Sequence, residues 1–332
     1  MHWKYLKIGG LILLSLLVII PSFLYFNGFD WAKKHSTRVS ALPLLDTTVD
    51  KGAYRLKANH LEFLIRVAGM KNDGPAVILL HGFPESSLMW QPLLDKAASE
   101  GYRVVAFDQR GYSPMARPKG IEHYQLDSLV QDVLAVANQV GFDTFHLVGH
   151  DWGAGVGWKT VMDYPERIRT WTAMSIPHIG VFLDAIENHP EQQKRSAYMG
   201  QLRRPFVPEF LFSLNQKRVA DGLARSWSPE LIHECFAIQR EYGALTAALN
   251  WYRAADPKYH TLEQQQALKK SIIRPTLFIW GKEDPVVASE IIPLQKPYIQ
   301  APYQEISLET GHSLIQLEPE KVIDKILLHW RS

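Results

Sequence analysis

The sequence holds a single cysteine, Cys235, among 332 residues, so no disulfide can form within the chain. Nowhere do its His and Cys residues take a zinc-ligand spacing, and neither metal nor cofactor is expected. Charge of one sign is also missing. The 36 Lys and Arg offset 34 Asp and Glu to a formal +2, which gives no basic field for a nucleic acid. Internal repeats and low-complexity runs are absent. What is there, 46% hydrophobic and 21% charged residues, suffices for one sizeable core with an inserted lobe. Cys235 is expected as a buried thiol rather than a catalytic one.

One stretch departs from globular statistics. Ile8–Phe26 runs for 19 residues without a charge, long enough at about 1.5 Å per residue to cross a bilayer core. It reads as a transmembrane signal-anchor. A cleaved signal peptide is the rival, but Pro21, Ser22 and the aromatics after them form no small-x-small cleavage site. Lys4 and Lys7 precede the run, while Lys33 and Lys34 follow it, with Asp30 nearby. This bias leans towards a cytoplasmic N-terminus, with the rest of the chain across the membrane.

Beyond it, short apolar runs alternate with helical patterns. Tyr54–Ala58 and Leu61–Ala68 flank a turn at Asn59-His60, and Ala76–Leu80, Arg103–Phe107, Phe145–Val148 and Ile168–Met174 read as buried strands. Leu126–Val140 has helical periodicity. Such alternation predicts βαβ units and a mostly parallel sheet with helices on both faces. After Pro177 the pattern stops. A helix-like stretch rich in Arg and aromatics follows, until Thr276–Trp280, Gln304–Ser307 and a helix near Lys321–Trp330 resume the alternation. The expected division is an anchor over 1–30, a polar tether over 31–53, an α/β core over 54–178 and 267–332, and a helical cap over 179–266.

The chemistry centres on Gly149-His150-Asp151-Trp152-Gly153, where an apolar strand enters a helix. This is the form of a G-x-S-x-G nucleophile elbow with aspartate in the serine position. His81-Gly82-Phe83-Pro84 leaves the strand Ala76–Leu80, where such enzymes place one N–H of an oxyanion hole. Phe83 and Trp152 are therefore the expected oxyanion donors. Asp284 and His312 each follow a predicted strand, so nucleophile, acid and histidine occur in the chain order that this elbow requires.

Together with Asp108-Gln-Arg-Gly-Tyr112 and Asn250-Trp-Tyr-Arg253, these motifs resemble the soluble-type epoxide hydrolases of the α/β-hydrolase superfamily. The likeness extends over about Tyr54 to Trp330. It implies the α/β-hydrolase fold with Asp151 as nucleophile, His312 as base, Asp284 as its orienting acid and Tyr252 as a proton donor in the cap. Many relatives use a second cap tyrosine. Here the corresponding stretch offers Tyr198 or, one helical turn on, Gln201 as second donor or substrate contact. Arg110 resembles an arginine that fluoroacetate dehalogenases use for a carboxylate, though a structural place in its loop is the plainer reading. His150 and His178 are expected to hydrogen-bond within the core. Phe206, Phe210, Phe212 and Trp227 of the cap either wall a substrate cavity or pack the cap.

A carboxylate nucleophile restricts the reaction. Attack on a carbonyl would give a mixed anhydride, whereas attack on an sp³ carbon bearing oxygen or halogen gives an ordinary ester. The partners implied are a small apolar substrate and water. Haloalkane dehalogenases share the first loop, the Asp-Trp pair and the histidine, so halide release stands as the alternative. A ligand-binding protein without catalysis stands as the alternative of another class.

Overall fold

The computed structural model describes residues 34–46, 48–259 and 261–331. Among them, eight strands build one sheet: β1 (Gly52–Ala58), β2 (Leu61–Ala68), β3 (Ala76–Leu80), β4 (Arg103–Phe107), β5 (Phe145–His150), β6 (Ile168–Met174), β7 (Thr276–Gly281) and β8 (Tyr303–Leu308). Their spatial order is β1-β2-β4-β3-β5-β6-β7-β8. The pairs β1–β2 and β2–β4 are antiparallel and all others parallel. Asn59 and His60 turn the first hairpin with φ of 47° and 60°. Two left-handed residues in a row match the right-handed twist of the strands they join.

Helices α1 (Gln91–Ser99), α2 (Leu126–Gln139) and α3 (Trp152–Asp163) lie between the strands of the first half. Six more separate β6 from β7: α4 (Ile179–Asn188), α5 (Pro190–Leu202), α6 (Val207–Leu223), α7 (Pro229–Gln239), α8 (Ala244–Ala254) and α9 (Leu262–Ala267). The last, α10 (Pro319–Trp330), follows β8. Sequence periodicity did not point to α1. Its buried stripe is only Leu93, Leu94 and Ala97, too brief a pattern to stand out.

Along β3 the side chains alternate between two layers. Ala76, Ile78 and Leu80 join the layer that contains Leu129, Val133 and Trp158 of α2 and α3. Val77 and Leu79 join that of Leu93 from α1 and Ile326 from α10. Both faces are covered, so the strand is apolar throughout rather than alternating. Each such side chain contributes about 1.5–3 kcal/mol by leaving water.

This topology positions the site. From β3 the chain moves to β4 on one side, and then crosses to β5 on the other. Leu80 and Gly149, near the ends of β3 and β5, are register partners, so the loops that follow open into one crevice. The helices between β6 and β7 are tied down across it: Arg66 on β2 donates to both carboxylate oxygens of Glu234 on α7, at 2.8 and 2.7 Å. Losing either buried partner would leave a charge uncompensated.

The stretch expected as a polar tether packs on the core where it is described. Residues 34–40 are helical, with Val39 and His35 buried. His35 Nδ1 lies 2.7 Å from Glu241 Oε1, and Arg38 donates to Glu234 at 3.2 Å. Leu45 and Arg55 then exchange backbone contacts that align the segment with β1. The apolar run Ile8–Phe26 falls outside the described residues. Among those described, no helix is long and apolar enough to cross a membrane.

Candidate active site

Asp151 stands between β5 and α3 with φ 52° and ψ −121°. A non-glycine residue there carries strain of about 1–3 kcal/mol, held in place by the strand and helix it joins. Two glycines make the approach feasible. A Cβ on Gly82 would lie 2.5 Å from that of Asp151, and one on Gly153 would lie 2.2 Å from the Leu80 carbonyl oxygen.

Four of the expected residues meet through direct contacts. The Phe83 N–H donates to Asp151 Oδ1 at 2.8 Å. Asp151 Oδ2 is 3.5 Å from His312 Nε2. On its other side His312 Nδ1 donates to Asp284 Oδ2 at 2.8 Å, while Asp284 Oδ1 accepts the Val286 N–H at 2.7 Å. Trp152 begins α3, and its ring meets that of Tyr252 edge-on at 4.9 Å.

Burial alone would raise the pKa of Asp151. The hydrogen bond and charge of His312, the charge of His150 and the Phe83 N–H overcome it and hold the carboxyl below its usual range. For His312 burial works the other way, and the charge of Asp284 with hydrogen bonds to Asp151 and Asp284 outweighs it. Its pKa is held well above the usual value. Both shifts favour a carboxylate beside an imidazolium.

Tyr252 hangs from α8 over this pair, 3% exposed, its ring 5.4 Å from that of Phe83. Tyr198 of α5 comes beside it at 6.4 Å between rings. Burial first, and the negative charge of Asp151 as well, raise both phenols above their ordinary pKa and keep them protonated. Gln201 is exposed and does not border the cavity. That cavity, about 180 Å³, runs from Asp151 between Trp152, Ile179, Phe182, Leu183, Met199 and Trp251. Among the described residues no cluster of His, Cys, Asp or Glu is arranged to hold a metal ion.

Comparison with known proteins agrees with this geometry. The family model described as alpha/beta hydrolase fold matches residues 75–314. Epoxide hydrolase 4 of Homo sapiens is 31% identical over 288 residues, covering 82% of this chain and 76% of the relative. Epoxide hydrolase 3 of Xenopus tropicalis is likewise 31% identical, covering 82% of this chain and 75% of its own length. The chain belongs to the epoxide hydrolases of the alpha/beta hydrolase fold. It is a hydrolase. A solved epoxide hydrolase mutant from Bacillus megaterium, in complex with a naphthyloxy-propanediol product, superposes with a TM-score of 0.73 at 26% identity. It covers 84% of this chain and all of its own.

Other residues of this epoxide hydrolase family member stand partly as expected and partly not. Sequence reasoning passed over Glu85, which accepts from Gln316 at 2.6 Å and contacts His150 Nδ1 at 2.9 Å. His150 Nε2 in turn donates to the His312 carbonyl oxygen at 2.9 Å. His150 thus hydrogen-bonds within the core, as expected, and its partner there is the backbone of His312. The available signal was that Glu85 directly follows the His81–Pro84 loop. Arg110 is spent on Asp132, with two bonds of 2.7 Å, as a structural residue would be. His178 Nε2 donates to the Lys270 carbonyl at 3.0 Å. None of the four cap aromatics named from sequence borders the cavity: Trp227 donates to Ser313, Phe212 stacks on Phe236, and Phe206 and Phe210 face outward.

Proposed function

We propose that the protein opens apolar epoxides to vicinal diols through an ester formed on Asp151. The observation that carries this reading is the pair of phenols, Tyr252 and Tyr198, side by side in the wall of the cavity that Asp151 also borders. An opening epoxide keeps its oxygen and develops an alkoxide that needs a proton, whereas a departing halide needs only N–H donors. Trp251, the other tryptophan lining the cavity, donates its N–H to the Arg110 carbonyl at 2.9 Å, so among the described residues no second indole N–H faces the site as a halide donor.

Asp151 Oδ1 rests on the Phe83 N–H, which leaves Oδ2 as the attacking oxygen. Its bond to the epoxide carbon forms as the C–O bond breaks, and the alkoxide takes a phenolic proton. Oδ1 becomes the ester carbonyl, already seated in the oxyanion hole with the Trp152 N–H as second donor. Alkylation removes the Asp151 charge that helps hold the proton on His312. That proton then restores the tyrosine, and neutral His312, kept in the right tautomer by Asp284, takes a proton from water. Hydroxide adds to the ester carbonyl. Collapse expels the diol oxygen, which takes the acid proton, and Asp151 returns ionised beside protonated His312.

His312→Gln tests the reading. Attack by Asp151 should proceed and hydrolysis stop, so the ester accumulates. Intact-protein mass spectrometry of this variant should show the full mass of an added apolar epoxide, mapped to Asp151. Adducts from haloalkanes alone would favour dehalogenation, and a modified residue other than Asp151 would sink the mechanism.

We also propose that Ile8–Phe26 anchors the enzyme in a membrane, with Lys4 and Lys7 on the cytoplasmic side. Support comes from the length of the uncharged run and the flanking charges.

A further inference from the structure

Helix α6 is turned inside out for a protein in water. Phe206, just before it, is 84% exposed, and Val207, Phe210, Leu211 and Leu214 are 42%, 51%, 49% and 43% exposed. Their spacing of i, i+1, i+4, i+5 and i+8 puts them on one face, which an ordinary surface helix would fill with polar groups. Pro208 is the one buried residue of α6. None of these apolar side chains borders the substrate cavity or joins a core cluster. A contiguous exposed apolar surface of this kind marks a contact.

Two observations say with what. Basic residues flank the patch: Arg204 before it, then Lys217, Arg218 and Arg225, all exposed, against two acids, the exposed Asp221 and the half-buried Glu209, which is paired with Arg253. An apolar helix face with a basic margin suits a lipid surface with anionic headgroups. The second is where the described chain begins. His35 is held on Glu241, whose neighbour Tyr242 is 90% exposed, and Arg240 donates to Gln216 of α6 at 2.8 Å. Only seven residues lie between Phe26 and Lys34, a reach of at most about 29 Å from one to the other even when fully extended. A bilayer that holds Ile8–Phe26 is therefore within reach of the cap.

We propose that the outer face of α6 docks on a lipid bilayer, with Phe206, Phe210 and Leu211 inserted among the headgroups and the basic residues against anionic lipid. The reach argument rests on the anchor reading above; the patch and its charge do not. Docking brings the cap, whose adjoining helix α5 carries Tyr198 and Met199 into the cavity, close to the phase in which apolar epoxides concentrate.

The test uses the full chain, in which Cys235 is buried. Phe210→Cys, and Lys325→Cys on α10 as reference, are labelled with an environment-sensitive nitrobenzoxadiazole dye and reconstituted into phosphatidylcholine–phosphatidylserine vesicles. The label at position 210 should shift to the blue and be quenched at least about twofold by lipids with shallow nitroxides, while the label at 325 changes in neither respect. An unshifted label at 210 on protein that floats with the vesicles would overturn the proposal and leave the anchor standing. So would a blue shift without lipid quenching, because a second copy or Ile8–Phe26 itself would then cover the face. Alkaline carbonate extraction reports on the anchor separately: protein stripped by carbonate after its 210 label had been quenched keeps the docking surface and loses the anchor.

Discussion

The two halves of the site are held by different means. Below the cavity, Asp151, Phe83, Asp284 and His312 follow strands β5, β3, β7 and β8 and are joined by bonds of 2.8 Å at Phe83–Asp151 and His312–Asp284. Above it, Tyr252 and Tyr198 sit on helices, and Tyr252 meets Trp152 and Phe83 through ring edges at 4.9 and 5.4 Å. The lower half is fixed by sheet register, the upper by how helices pack. In the proposed reaction, charge is set from below and the proton is supplied from above.

Separating those two contributions gives the largest expected effect. Tyr252→Phe should slow ring opening by about 10² to 10⁴, the usual worth of a positioned acid, and leave hydrolysis of a preformed ester nearly unchanged. Single-turnover measurements resolve the two steps. Tyr198→Phe should act on the same step by less, because Tyr252 keeps its proton. Equal slowing of both steps would mean that the upper half shapes the lower one rather than serving as acid.

A second contrast concerns acid stability, which the core should dominate. Burial lowers His146 to a pKa of about 3 and His178 to about 4, with Arg169 adding to the effect at His146. Both are nearly inaccessible, His146 on β5 and His178 just before α4. Between pH 6.5 and 4 the unfolded chain binds protons that the folded one refuses, so stability falls as pH falls. The loss is about 1.4 kcal/mol per pH unit for each histidine. His312 has the opposite sign: its raised pKa contributes stability that is full below pH 6.5 and is lost as pH rises through the folded value. Urea unfolding from pH 7 to 5 should show the decline, and His146→Gln should flatten it by about 1.4 kcal/mol per unit. An unchanged slope in that variant would show that His146 takes up its proton without unfolding.

The same division explains what could be read from the sequence. Asp151, Phe83, Asp284 and His312 each sit in a short motif directly after an apolar run, so chain order and strand ends sufficed. Strand β6 and the limits of β3 and β4 were legible for the same reason: strands buried on both faces read as unbroken apolar segments. Glu85 was missed although it is adjacent to a motif, because its partners Gln316 and His150 lie 231 and 65 residues away. The cap was legible as helical but not in its facing. The rotation of α5 is set by Gln192, which donates to the Val286 carbonyl and accepts the Ala288 N–H, both at 2.8 Å. Arg195 adds a bond to the Asp284 carbonyl at 2.5 Å. No local pattern reveals contacts across some 90 residues of chain.

That rotation supports the smallest effect. Tyr198 and Gln201 lie three positions apart on α5, near enough on the helix for either to be expected over Asp151. With Gln192 and Arg195 anchored to the loop after β7, Tyr198 is the one that borders the cavity, and Gln201 remains in solvent. Gln201→Ala removes an exposed amide with no place in the site and should change kcat/KM for an apolar epoxide by less than about twofold, within the ±0.5 kcal/mol typical of surface substitutions. A loss on the scale of Tyr198→Phe would mean that α5 turns by most of a helical step when substrate enters. In that case the upper half of the site rearranges on binding, and the fixed lower half is the only part that the free enzyme presents ready for reaction.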